Sequence, residues 1–196
     1  MIVMPSNNTS GLCHYLAGAY PGRIGLLISP KGWRIPPRYF PWAMDNGAFT
    51  DFDPELFCKC LDRAKHINRP IFVAVPDALG DAEETSRLWK EWSGKINFPL
   101  AFVAQDGHEP QDVPKDAFAV FVGGTSEWKL SNAHKFKGVA KWLHIGRVNT
   151  GGRLKWANEC CEADSVDGTG FFRGDQKQKQ DLIDYVSGGR GFACEF

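Results

Sequence analysis

The sequence predicts an α/β protein, a compact (β/α)8 barrel forming a single domain over residues 1–196. Three observations predict it. Eight short apolar runs recur along the chain, at residues 2–4, 24–29, 42–44, 71–75, 100–104, 117–122, 142–145 and 163–166. These runs are continuously apolar rather than alternating, which fits parallel strands covered on both faces. Segments of helical periodicity separate most of them, and strands alternating with helices build parallel sheets. A length of 196 residues lies at the lower end of what eight such units need, about 200. A doubly wound open sheet is the second choice.

Residues 6–41 carry few helical signals, so the first two units are expected to be abbreviated or irregular. The first clear helix is "DPELFCKCLDRAKH", where Asp53 can cap and Pro54 suits the first turn. Its Leu56, Phe57, Cys60, Leu61 and Ala64 fall on one face. In "DAEETSRLWKEW" Asp81 is the cap, and Leu88, Trp89 and Trp92 form the buried stripe. "EWKLSNAHKF" and "GGRLKWANECCEA" supply two more helices, and the last runs over about 176–186. No linker or low-complexity stretch divides the chain.

Composition bounds the function. Net charge is zero with a pI near 6.9, so contact with a polyanion must come from a local basic patch. Six unevenly spaced cysteines, with a vicinal pair at Cys160 and Cys161, argue against a disulfide scaffold. The start "MIVMPSNNTSG" has no charged segment followed by a long apolar one, and no run approaches the ~20 residues of a membrane span. A cytoplasmic protein without membrane contact is expected, and the sequons at Asn7 and Asn8 are read as chance.

In α/β folds chemistry collects at the carboxyl ends of the strands. Six successive apolar runs here are followed by polar or turn-forming groups: Asp45, Asp77, Gln105 with Asp106, the pair Gly123-Gly124, Gly146-Arg147, and Asp167 with Gly168. Each taken singly is also ordinary turn or cap chemistry. Together they read as a ring of polar groups around one mouth. No Gly-x-Gly-x-x-Gly, Walker or Gly-x-Ser-x-Gly motif is present, which disfavours nucleotide cofactors, NTP use and a serine nucleophile elbow.

What remains is a set of carboxylates able to act as nucleophile, general acid or general base. The backbone amides of Gly123 and Gly124 and the side chain of Gln105 suit a planar polar ligand such as a base. Phe49 either stacks on that ligand or belongs to the core. His144 lies inside a strand, as a hydrogen-bonded interior histidine or a catalytic one.

Cys58 and Cys60 with His66 look like ligand spacing, but two helix residues two apart point to different faces. Neither Cys160, Cys161 nor Cys194 forms a Cys-x-x-Cys pair, so no metal site and no cofactor are expected. Lys129, Lys135, Lys137 and Lys141 read as solvated helix charge. Arg147, Arg153 and Arg173 stand nearer the expected mouth, where phosphate contacts would form.

The stretches "MDNGAF", "VAVPDALGD", "FVAQDG", "FVGGTS", "WLHIGRVNTGGRL" and "EADSVDGTGFFRGD" span residues 44–175. In order and placement they resemble the tRNA-guanine transglycosylase superfamily, and more closely its DNA-modifying branch in phages and bacteria, the DpdA-like 7-deazaguanine transglycosylases. The resemblance implies a TIM-barrel enzyme that exchanges guanine for a 7-deazaguanine base such as preQ0. Carried over, Asp167 is the nucleophile that attacks the anomeric carbon, forming a glycosyl-enzyme intermediate that accepts the incoming base. Asp45 is the proton-transfer partner. Asp77, Gln105, Gly123 and Gly124 read the base edge, and Phe49 and Ile145 sandwich its faces.

Two departures bear on the substrate. The tRNA enzymes carry a C-terminal cysteine-rich zinc site, where this sequence has "GGRGFACEF", and their glycine-rich loop is longer than "GGTSEWK". Both favour DNA, with its guanine flipped out of the duplex, and a free 7-deazaguanine base as the partners; a partner protein is possible. The alternatives are a tRNA-guanine transglycosylase, a base-releasing N-glycosidase, and a barrel that binds a nucleobase or nucleic acid without chemistry.

Overall fold

The computed structural model describes residues 1–188; Cys194 lies outside the described residues. Among these, eight strands form one parallel sheet in the order β1-β8-β7-β6-β5-β4-β3-β2. They are β1 (Ile2–Met4), β2 (Leu26–Ile28), β3 (Trp42–Met44), β4 (Val73–Ala74), β5 (Leu100–Ala104), β6 (Ala119–Val122), β7 (Trp142–Ile145) and β8 (Ser165–Asp167). The two edge strands meet through isolated parallel bridges, Val3 with Ile24 and Ser6 with Leu27. The N–H of Asn7 donates to the Leu27 carbonyl at 2.9 Å, and that of Val3 to Arg23 at 2.9 Å. The sheet therefore closes into a (β/α)8 barrel, as expected.

The surrounding helices are α1 (Gly11–Ala19), α2 (Pro54–Ala64), α3 (Ala82–Trp92), α4 (Ser126–Asn132), α5 (Gly151–Glu159), α6 (Gly170–Arg173) and α7 (Gln176–Ser187). Asp53 and Asp81 cap α2 and α3 as expected, each accepting from a backbone N–H at 2.9 Å. The second unit is abbreviated as expected, whereas helix α1 corrects the expectation of an abbreviated or irregular first unit. Its Ser10 cap accepts from the Cys13 N–H, and Cys13, Leu16 and Ala17 pack inward, but glycines at 11 and 18 weaken the pattern. The β2–β3 and β5–β6 connections carry only short 3-10 turns, Pro30–Gly32 and Pro110–Asp112. In the first of these, Trp33 and Phe40 pack over the strands where a helix would lie.

Two apolar layers follow from the period-2 alternation of strand side chains. Met4, Leu27, Ala43, Phe72, Ala101, Val103, Ala119 and Phe121 fill the barrel interior. Their neighbours, among them Trp42, Phe102, Val120, Ile145 and Val166, pack against the helices. The inward parity continues past the strand ends. Two residues after inward Ala43 stands Asp45, after Val103 stands Gln105, after Phe121 stands Gly123, and after Ser165 stands Asp167.

Candidate active site

A pocket of about 500 Å³ opens at the carboxyl ends of the strands. Asp45, Asp77, Gln105 and Asp167 line it, and so do Gly123, Gly124, Phe49, Arg147 and Arg173. A larger cavity, about 670 Å³, lies beside the starts of α5 and α7, and none of these groups lines it.

Asp45 leaves β3 with its backbone N–H bonded to the Ile28 carbonyl at 2.9 Å, which anchors it beside β2. Gly47 then takes φ +81°, a turn conformation that glycine adopts without strain. Burial, and after it the charges of Asp167 and Asp77, push the Asp45 carboxyl up to about 7, against the pull of the Gly47 and Asn46 backbone N–H groups. A carboxyl held there can give and take a proton near neutrality.

Asp77 belongs to a fixed polar chain. Asn46 donates through Nδ2 to its Oδ1 at 2.7 Å, and Gln105 through Nε2 to its Oδ2 at 2.5 Å. Burial raises the Asp77 carboxyl, while the two amide donors oppose the shift. Oε1 of Gln105 accepts from the N–H groups of Gly80 at 3.0 Å and Gly124 at 2.9 Å, so the amide has one orientation. His108 holds the same segment, its Nδ1 accepting from the Gln105 N–H at 2.9 Å.

These bonds correct the role expected of the two glycines. The Gly123 N–H is engaged by the Ala104 carbonyl at 2.9 Å and the Gly124 N–H by Gln105. Neither is free to read a ligand edge. They are glycines because a Cβ on Gly123 would lie 2.9 Å from Gln105 Nε2, and because Gly124 takes φ +63°.

Asp167 ends β8 rather than following it and is 6% exposed. Its Oδ1 accepts from His144 Nε2 at 3.2 Å and from the Arg147 N–H at 3.1 Å, and its Oδ2 from the Ser6 hydroxyl at 3.3 Å. Arg147 reaches this position with φ +59°, a conformation costing a non-glycine residue about 1 kcal/mol or more. Its guanidinium donates to the Gly124 carbonyl and lies 5.2 Å from the centroid of the Phe49 ring. Phe49 itself is 62% exposed at the mouth.

Three expectations are overturned. Ile145 is fully buried in the layer between barrel and helices, because strand alternation turns it outward and leaves Gly146 facing the pocket. It cannot sandwich a ligand, and Phe121 is the buried ring that lines the pocket. Arg153 sits half-buried on α5 and does not line the pocket, unlike Arg147 and Arg173.

Lys129 is no solvated charge. It is 5% exposed, its Nζ donates to the Gly146 carbonyl at 2.5 Å, and burial, reinforced by Arg147, lowers its ammonium to about 8. Lys135 and Lys137 are exposed and pair with Glu109 and Glu162. Ser6, Asn46 and Phe121 were not anticipated at the pocket. Asn46 had a sequence signal in its adjacency to Asp45 and Phe121 in the inward parity of its strand, whereas Ser6 had none.

Among the described residues no group of three or more His, Cys, Asp or Glu side chains is placed to hold a metal. Cys58 is exposed and Cys60 buried, on different faces of α2. Among the described residues, no helix is long and apolar enough to cross a membrane.

No protein-family model matches the chain, and no curated protein matches it. Solved structures do. The chain is similar to a 4-hydroxy-2-oxoglutarate aldolase/2-deydro-3-deoxyphosphogluconate aldolase from TTHB1, at 10% identity and a TM-score of 0.59, covering 95% of this chain and 92% of that one. It is similar to a dihydrodipicolinate synthase family protein from Coccidioides immitis, at 12% identity and 0.57, covering 95% and 72%. An N-(5'-phosphoribosyl)anthranilate isomerase from Pyrococcus furiosus matches at 12% identity and 0.50, covering 96% and 99%. At these identities the likeness shows the fold alone.

Proposed function

We propose that the chain is a DNA-guanine transglycosylase that replaces guanine with a 7-deazaguanine base of the preQ0 type. The observation that carries the reading is that Asp45 and Asp167 line one pocket while Asp45 is held near 7. In the reaction, an Asp167 oxygen bonds to the sugar C1′ as the C1′–N9 bond breaks, and the electron pair leaves with N9. Protonated Asp45 supplies the proton that the departing base takes up. The incoming base then returns a proton to Asp45 and attacks C1′, and the C1′–O bond breaks to regenerate the Asp167 carboxylate.

Four further features support it. The pocket volume suits a purine with part of its sugar. Among the described residues no lysine lines the pocket, and the nearby Lys129 is committed to the Gly146 carbonyl, so no free amine is presented for a Schiff base. Arg147 and Arg173 on its wall suit the phosphates of a polynucleotide with a flipped base better than a free nucleoside. The short Gly123-Gly124-Thr125 turn, in which Thr125 already caps α4, favours DNA over tRNA. A base-releasing N-glycosidase is the second reading, favoured by the engaged N–H groups of Gly123 and Gly124, which cannot help hold an incoming base.

The test offers radiolabelled guanine and preQ0 with duplex DNA, single-stranded DNA and tRNA, and uses Asp167→Ala as control. Label entering DNA and lost in the variant is expected. Label in tRNA alone would assign the tRNA reaction, and guanine released without incorporation would assign the glycosidase. Neither exchange nor release from a folded protein would leave a binding barrel.

A further inference from the structure

His144 is fully buried in the barrel interior, its ring 4.4 Å from that of Phe121 and 5.3 Å from that of Phe72. It does not line the pocket, yet Nε2 reaches Asp167 Oδ1 at 3.2 Å. Its Nδ1 lies 2.8 Å from the Ser165 hydroxyl oxygen, which also accepts from the Trp142 indole N–H at 2.7 Å. The order of donors along this chain is determined. Indole nitrogen only donates, so the Ser165 oxygen accepts from it. The single Ser165 proton, in a residue with no exposure, then has His144 Nδ1 as its acceptor among the hydrogen bonds of the described residues. Nδ1 is thereby an acceptor, and the imidazole proton sits on Nε2, aimed at Asp167.

The two oxygens of Asp167 are consequently unequal. Oδ1 receives two N–H donors, from His144 and from the Arg147 backbone, and a Cβ on Gly146 would stand only 3.3 Å from it. Among the described residues, Oδ2 has only the longer bond from Ser6, itself a pocket residue. We infer that His144 is a positioning residue for Asp167, holding Oδ1 through its Nε2–H so that Oδ2 is the oxygen presented to the sugar. The inference rests on the transglycosylase reading. In the glycosyl-enzyme, Oδ2 carries C1′ and Oδ1 becomes the ester carbonyl oxygen, still held by the same two donors. When the incoming base displaces Oδ2, the returning electron pair is shared with an oxygen already hydrogen-bonded, which assists the departure of the carboxylate.

The test combines kinetics with a readout that needs no turnover. His144→Leu should lower kcat for base exchange by about 10- to 100-fold, the usual cost of removing a group that orients a reacting side chain. KM for DNA should stay unchanged, because His144 is outside the pocket. His144→Gln, whose amide can donate to the same oxygen, should restore much of the rate. An unchanged kcat in the leucine variant, or equal losses in both variants with a raised KM, would overturn the role.

Should the leucine variant fail to fold, the wild-type protein decides. With ¹⁵N-labelled histidine, NMR should place the His144 proton on Nε2, and Asp167→Asn should move that signal. A proton on Nδ1, or no response to Asp167→Asn, would sink the inference. Absence of base exchange in the wild type would defeat the proposed function, and the NMR outcome would still decide whether His144 holds Asp167.

Discussion

Asp45 and Asp167 come from strands on different sides of the barrel and line one pocket. Burial first, and then the negative charge of Asp167, push the Asp45 carboxyl up to about 7. An acid with a folded-state pKa above its unfolded value keeps its proton in the folded chain after the unfolded chain has lost it. Its folded form is therefore disfavoured progressively as pH rises from about 4 to about 7, by up to about 1.4 kcal/mol per unit. Asp77, raised by burial, adds to the slope in the same direction. Asp45→Asn should flatten the fall of stability between pH 5 and 8, be more stable than the wild type at pH 8, and lose base exchange. Thermal unfolding across that range checks it, and an unaltered slope would refute the placement.

Gln105 should be intolerant of both apolar and charged replacement. It satisfies the N–H groups of Gly80 and Gly124 and one oxygen of Asp77 while 1% exposed. Gln105→Leu leaves these buried groups unpaired and should cost about 2–4 kcal/mol. Gln105→Glu sets two carboxyls against each other and should lose more stability at pH 8 than at pH 5. Urea unfolding at both pH values separates the two effects.

Phe49 should matter for binding and not for folding. Its ring is mostly exposed at the mouth, with the Arg147 guanidinium over it. Phe49→Ala should change stability by no more than about 0.5 kcal/mol. If the ring stacks on a base, the variant should bind DNA roughly 5-fold or more weakly. Equal binding by wild type and variant in a titration would remove the ring from the substrate site.

The arginines should separate by position. Arg173 lines the pocket and Arg153 does not. If Arg173 contacts a phosphate, Arg173→Ala should reduce the slope of log K against log salt by about 1, and Arg153→Ala should leave it unchanged. A common effect of both variants would point to a diffuse field rather than a defined contact.

Much of the site was legible because strand geometry is simple. Asp45, Gln105 and Asp167 sit at strand exits in the register that continues the inward-facing residues, so the sequence locates them. The same parity excludes Ile145, which the strand pattern turns toward the helices. It entered through the family resemblance alone, which takes no account of the alternation. Glycine pairs announce a tight approach but not which partner takes their N–H groups, and here Ala104 and Gln105 do. Lys129 was hidden because helix-surface lysines are usually solvated, and its bond to the Gly146 carbonyl is a tertiary contact that periodicity does not reveal. Ser6 carries no local signal; the closing of β1 against β2 brings it to the pocket.

The bridged junction of β1 and β2 has a dynamic consequence. Between β5 and β6 a continuous four-residue register ties the strands, whereas Val3–Ile24 and Ser6–Leu27 are isolated pairings. Local opening favours the weaker runs of hydrogen bonds, so this junction should open more readily than the β5–β6 pair. Amide hydrogens of Asn7 and Leu27 should exchange with solvent faster than those of Phe102 and Val120. Ser6 rides on that edge and donates to Asp167 Oδ2. Each opening would thus uncover the very oxygen proposed for bond formation.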